Sequence, residues 1–238
     1  MGNRKRMGTI LAAFAFVVPV ASLAASIVVG AVPLTIPDPS GFAPITPPMK
    51  SVFEILQQAL PPNVELFEAY IPNSEVQKAL DNAGDPNLNR RFDVQAARKS
   101  LDLDFKPSDF LQFKEIIKTQ NDELVGRAKQ EIPHYMENLN SYIARGSGIE
   151  KAISVMDIIA LPPHEETARS ISYSLFEKFS VKDSAGALST HVAAGTMTFL
   201  YVKGKIIILH CFAEKQGLEW SRGALKQWSD AIMAANSN

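Results

Sequence analysis

In the stretch "MTFLYVKGKIIILHCF", Met197 to Phe212, apolar letters occupy both phases of an alternating pattern. Lys203-Gly204 reads as a two-residue hairpin turn, with glycine supplying a positive φ. If Val202 pairs with Lys205, then Met197, Phe199 and Tyr201 share a face with Ile206, Ile208 and His210. Thr198 and Leu200 then share the other face with Ile207 and Leu209. Both faces are largely apolar, so both need cover. The expectation is an α+β fold, a three-layer sandwich in which helices cover both faces of an antiparallel sheet.

The remaining pattern supplies those layers. "KSVFEILQQAL" from Lys50 predicts a short helix that stops at Pro61-Pro62. "VELFEAYI" from Val64 predicts a strand, and "SEVQKALDNAG" a helix capped by Ser74 and closed by Gly84. In "RFDVQAAR", Phe92, Val94 and Ala96 alternate with Asp93 and Gln95, as in a strand. A long central helix starts at Ser108 or Asp109, with Phe110, Phe113, Ile117, Leu124 and Ala128 on its apolar side. Lys114, Lys118 and Asp122 form its wet side, and Pro133 should break or kink it before it resumes to Gly146-Ser-Gly148. Strands follow at 152–161, 169–181, 191–202 and 205–213. An amphipathic C-terminal helix from Leu218 to Ala235 ends the chain, with Trp220, Leu225, Trp228 and Ile232 on one side.

Ahead of Lys50 the pattern changes. Arg4, Lys5 and Arg6 are followed by an uncharged run that lasts until Asp38. Residues 1–24 read as a signal peptide with Ser22-Leu23-Ala24 at its cleavage end. The other reading is an uncleaved anchor at 7–32, long enough to cross a hydrocarbon layer about 30 Å thick. Both place the folded part outside the cytoplasm, periplasmic or secreted, and under the second it is held at the inner membrane. Six prolines between 33 and 48 suggest a Pro-rich tether at 33–50, or else an extended arm lying across the domain. A single α+β domain spans 51–238.

Composition narrows the function classes. Residues 1–24 hold three basic and no acidic side chains, leaving 21 basic against 25 acidic in the rest. No basic cluster follows the first six residues, so nucleic acid is not an expected partner. One cysteine, Cys211, cannot form an internal disulfide and reads as a small buried hydrophobe. His210 and Cys211 are neighbours on a strand and point to opposite faces, which excludes a dyad between them. The four histidines lie 30, 27 and 19 residues apart, without chelating spacing, so no metal or cofactor is expected. "HEET" at 164–167 lacks a second histidine, and "RGSGIE" around Ser147 is not a nucleophile elbow. No catalytic residue is assigned; His164, His191 and His210 remain as candidates for binding.

The segment "TMTFLYVKGKIIILHCFAEKQGLEWSRGALKQWSDAI", residues 196–232, resembles the end of PsbP-like extracytoplasmic domains in its order of strand, Lys-Gly turn, strand and amphipathic helix. The family includes many exported bacterial proteins that are generally non-enzymatic, and none of its functional residues transfers. The expected function is a non-catalytic binding or accessory module of the bacterial cell envelope, whose partner is a small ligand or another envelope protein. The alternative is an enzyme of unfamiliar type, a hydrolase, with His164 or His191 as loop base. The signal-peptide reading predicts a mature first residue at or near Ala25. Mass spectrometry of the exported protein checks it, because an intact Arg4–Arg6 segment would establish the anchor instead.

Overall fold

The structure, a computed structural model, describes residues 24–58, 60–81, 86–147, 152–182 and 186–237. The signal-peptide segment 1–24 thus falls almost wholly outside the described residues, as do Gly84, Gly148 and the side chains of Asp122, Leu124 and Ala128. The first half contributes β1 (Ala25–Val29), β2 (Val32–Ile36), β3 (Phe42–Pro44), α1 (Lys50–Gln58), β4 (Val64–Pro72), α2 (Val76–Asp81) and β5 (Arg91–Ala97). The second contributes α3 (Pro107–Ser147), β6 (Ala152–Ala160), β7 (Glu165–Glu166), β8 (Ser170–Lys182), β9 (Leu188–Val202), β10 (Lys205–Glu214) and α4 (Leu218–Ala235). Among the described residues, no helix is long and apolar enough to cross a membrane.

The hairpin turn sets the register of the sheet. Lys203 and Gly204 both have positive φ, 47° and 80°, the geometry whose twist matches the flanking strands. Pairing then runs from Lys205↔Val202 to Glu214↔Ala193. On one side β9 pairs with β8 and β8 with β6; on the other β10 pairs with β5, β5 with β4 and β4 with β3. With β7 on β8, this is one antiparallel sheet of eight strands. It joins a helix of 41 residues and a C-terminal helix in a mixed α+β fold.

Leu200, Ile207, Leu209 and Cys211 are buried with Phe92 and Val94 of β5, against Leu225, Trp228 and Ile232 of α4. Trp228 meets Phe92 edge-on at 5.3 Å and Tyr70 at 5.5 Å, and its indole N–H donates to the Pro37 carbonyl at 2.7 Å. At its other end α3 stacks Phe110 on Tyr201 at 5.5 Å and sets Phe113 edge-on to Phe199 at 5.0 Å. A second cluster joins Met49 and Val52 to Ala69, Ile71 and Ala79.

Three features differ from the sequence pattern. α3 continues through Pro133 without the break that was one of the two expected outcomes there. Lys114, expected on its wet side, is buried at 4% exposure. Its ammonium donates to Glu166 Oε1 at 2.8 Å and to the Thr167 carbonyl at 2.6 Å, which satisfies the charge.

The third concerns the N-terminal segments. Residues 25–32, the end of the span considered as an anchor, form β1, a turn and the start of β2. Leu34 and Ile36, within the stretch 33–50 read as tether or arm, are fully buried in the α4 core. Each such side chain contributes about 1.5–3 kcal/mol relative to exposure. Asn236, just past α4, holds β2 as a neighbouring strand would: Oδ1 accepts from the Thr35 amide at 3.0 Å, and Nδ2 donates to the Thr35 carbonyl at 2.7 Å.

The β1–β2 turn is seated on a small polar knot. Buried Lys205 donates to the Leu101 and Leu103 carbonyls at 3.0 and 2.9 Å and pairs with Asp104 at 2.9 Å. Gly30, at φ 60°, lies so close that an added methyl would overlap the Leu101 carbonyl oxygen. Gly30→Ala is therefore expected to cost about 2–4 kcal/mol, from left-handed strain plus overpacking. Urea unfolding measures this, and an unchanged midpoint would show that the N-terminal hairpin is not part of the cooperative unit.

Candidate functional site

Antiparallel register decides which side chains share a face, since directly opposed residues point the same way. Arg91 of β5 opposes Phe212 of β10, and Ala193 of β9 lies between Glu214 and Glu177. Two pairs further along, on the same face, His191 opposes Phe179. These side chains line a cleft of about 460 Å³, together with Leu88, Asn89 and, from the turn after β10, Lys215 and Gln216.

Arg91 carries its guanidinium over the Phe212 ring at 3.7 Å, a cation–π contact. Its Nε is buried without a hydrogen-bond partner. Burial holds the guanidinium below its ordinary pKa, and the negative charges of Asp93 and Glu177 oppose that shift. Glu177 answers in kind: burial raises its pKa, and Arg91 pulls it back down. The two side chains form no ion pair with each other, although each acts on the other electrostatically. Glu214, by contrast, is engaged, accepting from Asn89 Nδ2 at 2.9 Å and Gln216 Nε2 at 2.7 Å.

The three histidine candidates are not brought together. His191 belongs to the cleft; its ring stacks on Phe179 at 5.5 Å, and Nε2 lies 3.0 Å from Ser189 Oγ. His210 sits two pairs further from the cleft, 5.8 Å ring to ring from Phe212. Its Nδ1 is 2.6 Å from Asp93 Oδ1, and that carboxylate also accepts from Gln95 Nε2 at 2.9 Å. Asp93, one of the polar positions in the alternation of β5, is buried beside this partner. His164 is exposed in the loop before β7, where burial first and Arg222 second hold its pKa below the ordinary value. Among the described residues, no three His, Cys, Asp or Glu side chains form a metal-ligating group.

Sequence reasoning missed Arg91 and Glu177. Each is one charged letter in an alternating strand, and only the pairing of β5 with β10 and of β8 with β9 places them in one cleft. Cys211 is buried, and burial pushes its thiol pKa up, so it is a packed side chain. No protein-family model matches the chain, and no curated protein matches it.

A second polar group lies under α4. Asp38 Oδ1 and the Tyr70 hydroxyl are buried without hydrogen-bond partners, and both lie within electrostatic reach of Glu68. The adjoining cleft, about 420 Å³ with Phe42, Phe92, Trp220 and Trp228 among its walls, already holds a cation: Arg90 lies over Trp220 at 4.5 Å.

Burial raises the pKa of both carboxyls, and at Glu68 the nearby Asp38 adds to the effect. The folded chain therefore binds these protons more tightly than the unfolded chain. Their favourable contribution is complete below the ordinary carboxyl range and is lost as pH rises through the raised values. Glu68→Gln is expected to raise the melting temperature at pH 7 and to flatten its decline above about pH 4.5. Thermal unfolding between pH 4 and 8 checks this; identical slopes for the two proteins would refute it.

Proposed function

We propose that the protein is a non-catalytic binding or accessory module of the bacterial cell envelope, and that the Arg91–Glu177 cleft is its ligand site. The observation that carries this reading is a pair of half-buried, opposite charges, Arg91 and Glu177, that line one cleft without forming an ion pair with each other. Burying an ion without a partner is expensive, so folded proteins seldom leave one so unless something else pairs with it.

The layered architecture fits the same reading. Trp228 on Phe92, and Phe110 on Tyr201, support a sheet covered by helices on both faces, a rigid platform for a cleft at its exposed end. The PsbP-like order of elements at residues 196–232 and the N-terminal segment read as a signal support an exported, extracytoplasmic module. With the first strand starting at Ala25, cleavage after Ala24 would leave the described fold intact. Its partner is a small ligand or a second envelope protein, with membrane attachment only through an uncleaved N-terminal segment.

One observation favours the enzymatic alternative. Asp93 holds His210 at 2.6 Å next to the cleft, as a carboxylate orients a catalytic imidazole. His191 is the histidine on the cleft wall itself. Purified protein is expected to leave ester, phosphoester, peptide and glycoside test substrates unchanged. Turnover lost in His191→Ala or His210→Ala, with the melting temperature retained, would replace the binding module with a hydrolase.

A further inference from the structure

Resting on the binding reading, we infer that the cleft takes a small zwitterion of the amino-acid type, its carboxylate on Arg91 and its ammonium on Glu177. Two half-buried charges of opposite sign line the same cleft, the Arg91 Nε is buried without a partner, and the two side chains form no ion pair with one another. Their Cα atoms start three strands apart, β5 to β8, which is about 14 Å at the ordinary strand spacing. Arg91 shortens that gap by lying across Phe212 of the next strand. Directly beside Glu177 β9 places Ala193, a side chain too small to fill the space.

A dipolar molecule completes this arrangement, whereas a singly charged one does not. A guanidinium presents a planar fork that matches a carboxylate in two parallel hydrogen bonds. A molecule carrying only a carboxylate would satisfy Arg91 but bring a second negative charge towards Glu177. One carrying only an ammonium would satisfy Glu177 and face Arg91. In a partly desolvated cleft such like-charge approaches are costly. The other acidic side chain on the lining, Glu214, is held by Asn89 and Gln216. The stacked Phe179–His191 pair offers a flat wall for the apolar part of the ligand.

The test uses probes that share one side chain. Leucine, leucine amide (ammonium only), N-acetyl-leucine (carboxylate only) and the dipeptide Leu-Leu are titrated into the full chain, with affinity read by calorimetry. The wider charge spacing of the dipeptide distinguishes a free amino acid from a peptide as the source of the zwitterion. Leucine or Leu-Leu is expected to bind at least tenfold more tightly than either singly charged probe. Arg91→Gln and Glu177→Gln should each lose at least tenfold for the zwitterion.

Glu177→Gln should also bind N-acetyl-leucine as well as leucine, a change of preference that simple misfolding would not give. A cooperative melt and an unchanged circular-dichroism spectrum for Arg91→Gln would show that its loss of affinity is not loss of fold. Equal affinity of the parent for N-acetyl-leucine and leucine would overturn the zwitterion and leave an anion site, with the binding module intact. Failure of all four probes would overturn the ligand class, whereas the binding module itself falls only to histidine-dependent turnover.

Discussion

The pairing of β10 with β5 is the constraint on which the rest of the molecule depends. It joins Asp93 to His210 across 117 positions of sequence, with α3 and the strands from β6 to β9 in the interval. Before it forms, the first half is a small β4–β5 unit and the second a meander without its neighbour. Afterwards Phe92 and Cys211 lie in one core, Arg91 lies over Phe212, and the cleft has both its walls. Closing so long a loop costs entropy before any contact repays it, so this step should be late and slow in folding.

Much of the sheet could be read from local pattern, because hairpins are local. The Lys203-Gly204 turn and the two-sided apolar character of its arms are enough to place His210 beside Met197 and Leu209 beside Thr198, as the register has them. α4 was legible for the same reason, since its apolar side repeats at helical spacing. What could not be read depends on distant partners. The alternation placed Asp93 and Gln95 on the face opposite Phe92 and Val94, but nothing in "RFDVQAAR" names His210 as the mate of Asp93. Lys114 looked like any helix-surface lysine until Glu166 and Thr167 came over it. The prolines at 33, 37 and 39 argued for extended chain, which is what β2 and the turn after it contain. The burial of Leu34 and Ile36 is a tertiary fact supplied by α4 and Asn236.

The interior holds two kinds of polar group, and the contrast between them locates the cleft. Ser172 meets Thr198 at 2.8 Å, Ser174 meets Thr196 at 3.1 Å, and Thr196 reaches Ser221 of α4 at 2.7 Å. This ladder stitches β8, β9 and α4 together, and it contains no hydroxyl without a partner. Lys205 and Lys114 are likewise fully engaged. Arg91 and Glu177, like Asp38 and Tyr70 under α4, stand apart from that ladder.

Cys211 has a use that follows from its position. It sits at the centre of β10, fully buried beneath α4, with a thiol that burial disfavours from ionising. As the chain's one sulfhydryl, it can meet an alkylating reagent only when the strand pairing at the middle of the sheet has opened. Its rate of modification is therefore an internal gauge of how often the whole core comes apart, read without any added label. The residue that first looks like a nucleophile is better understood as a built-in clock for the opening of the fold.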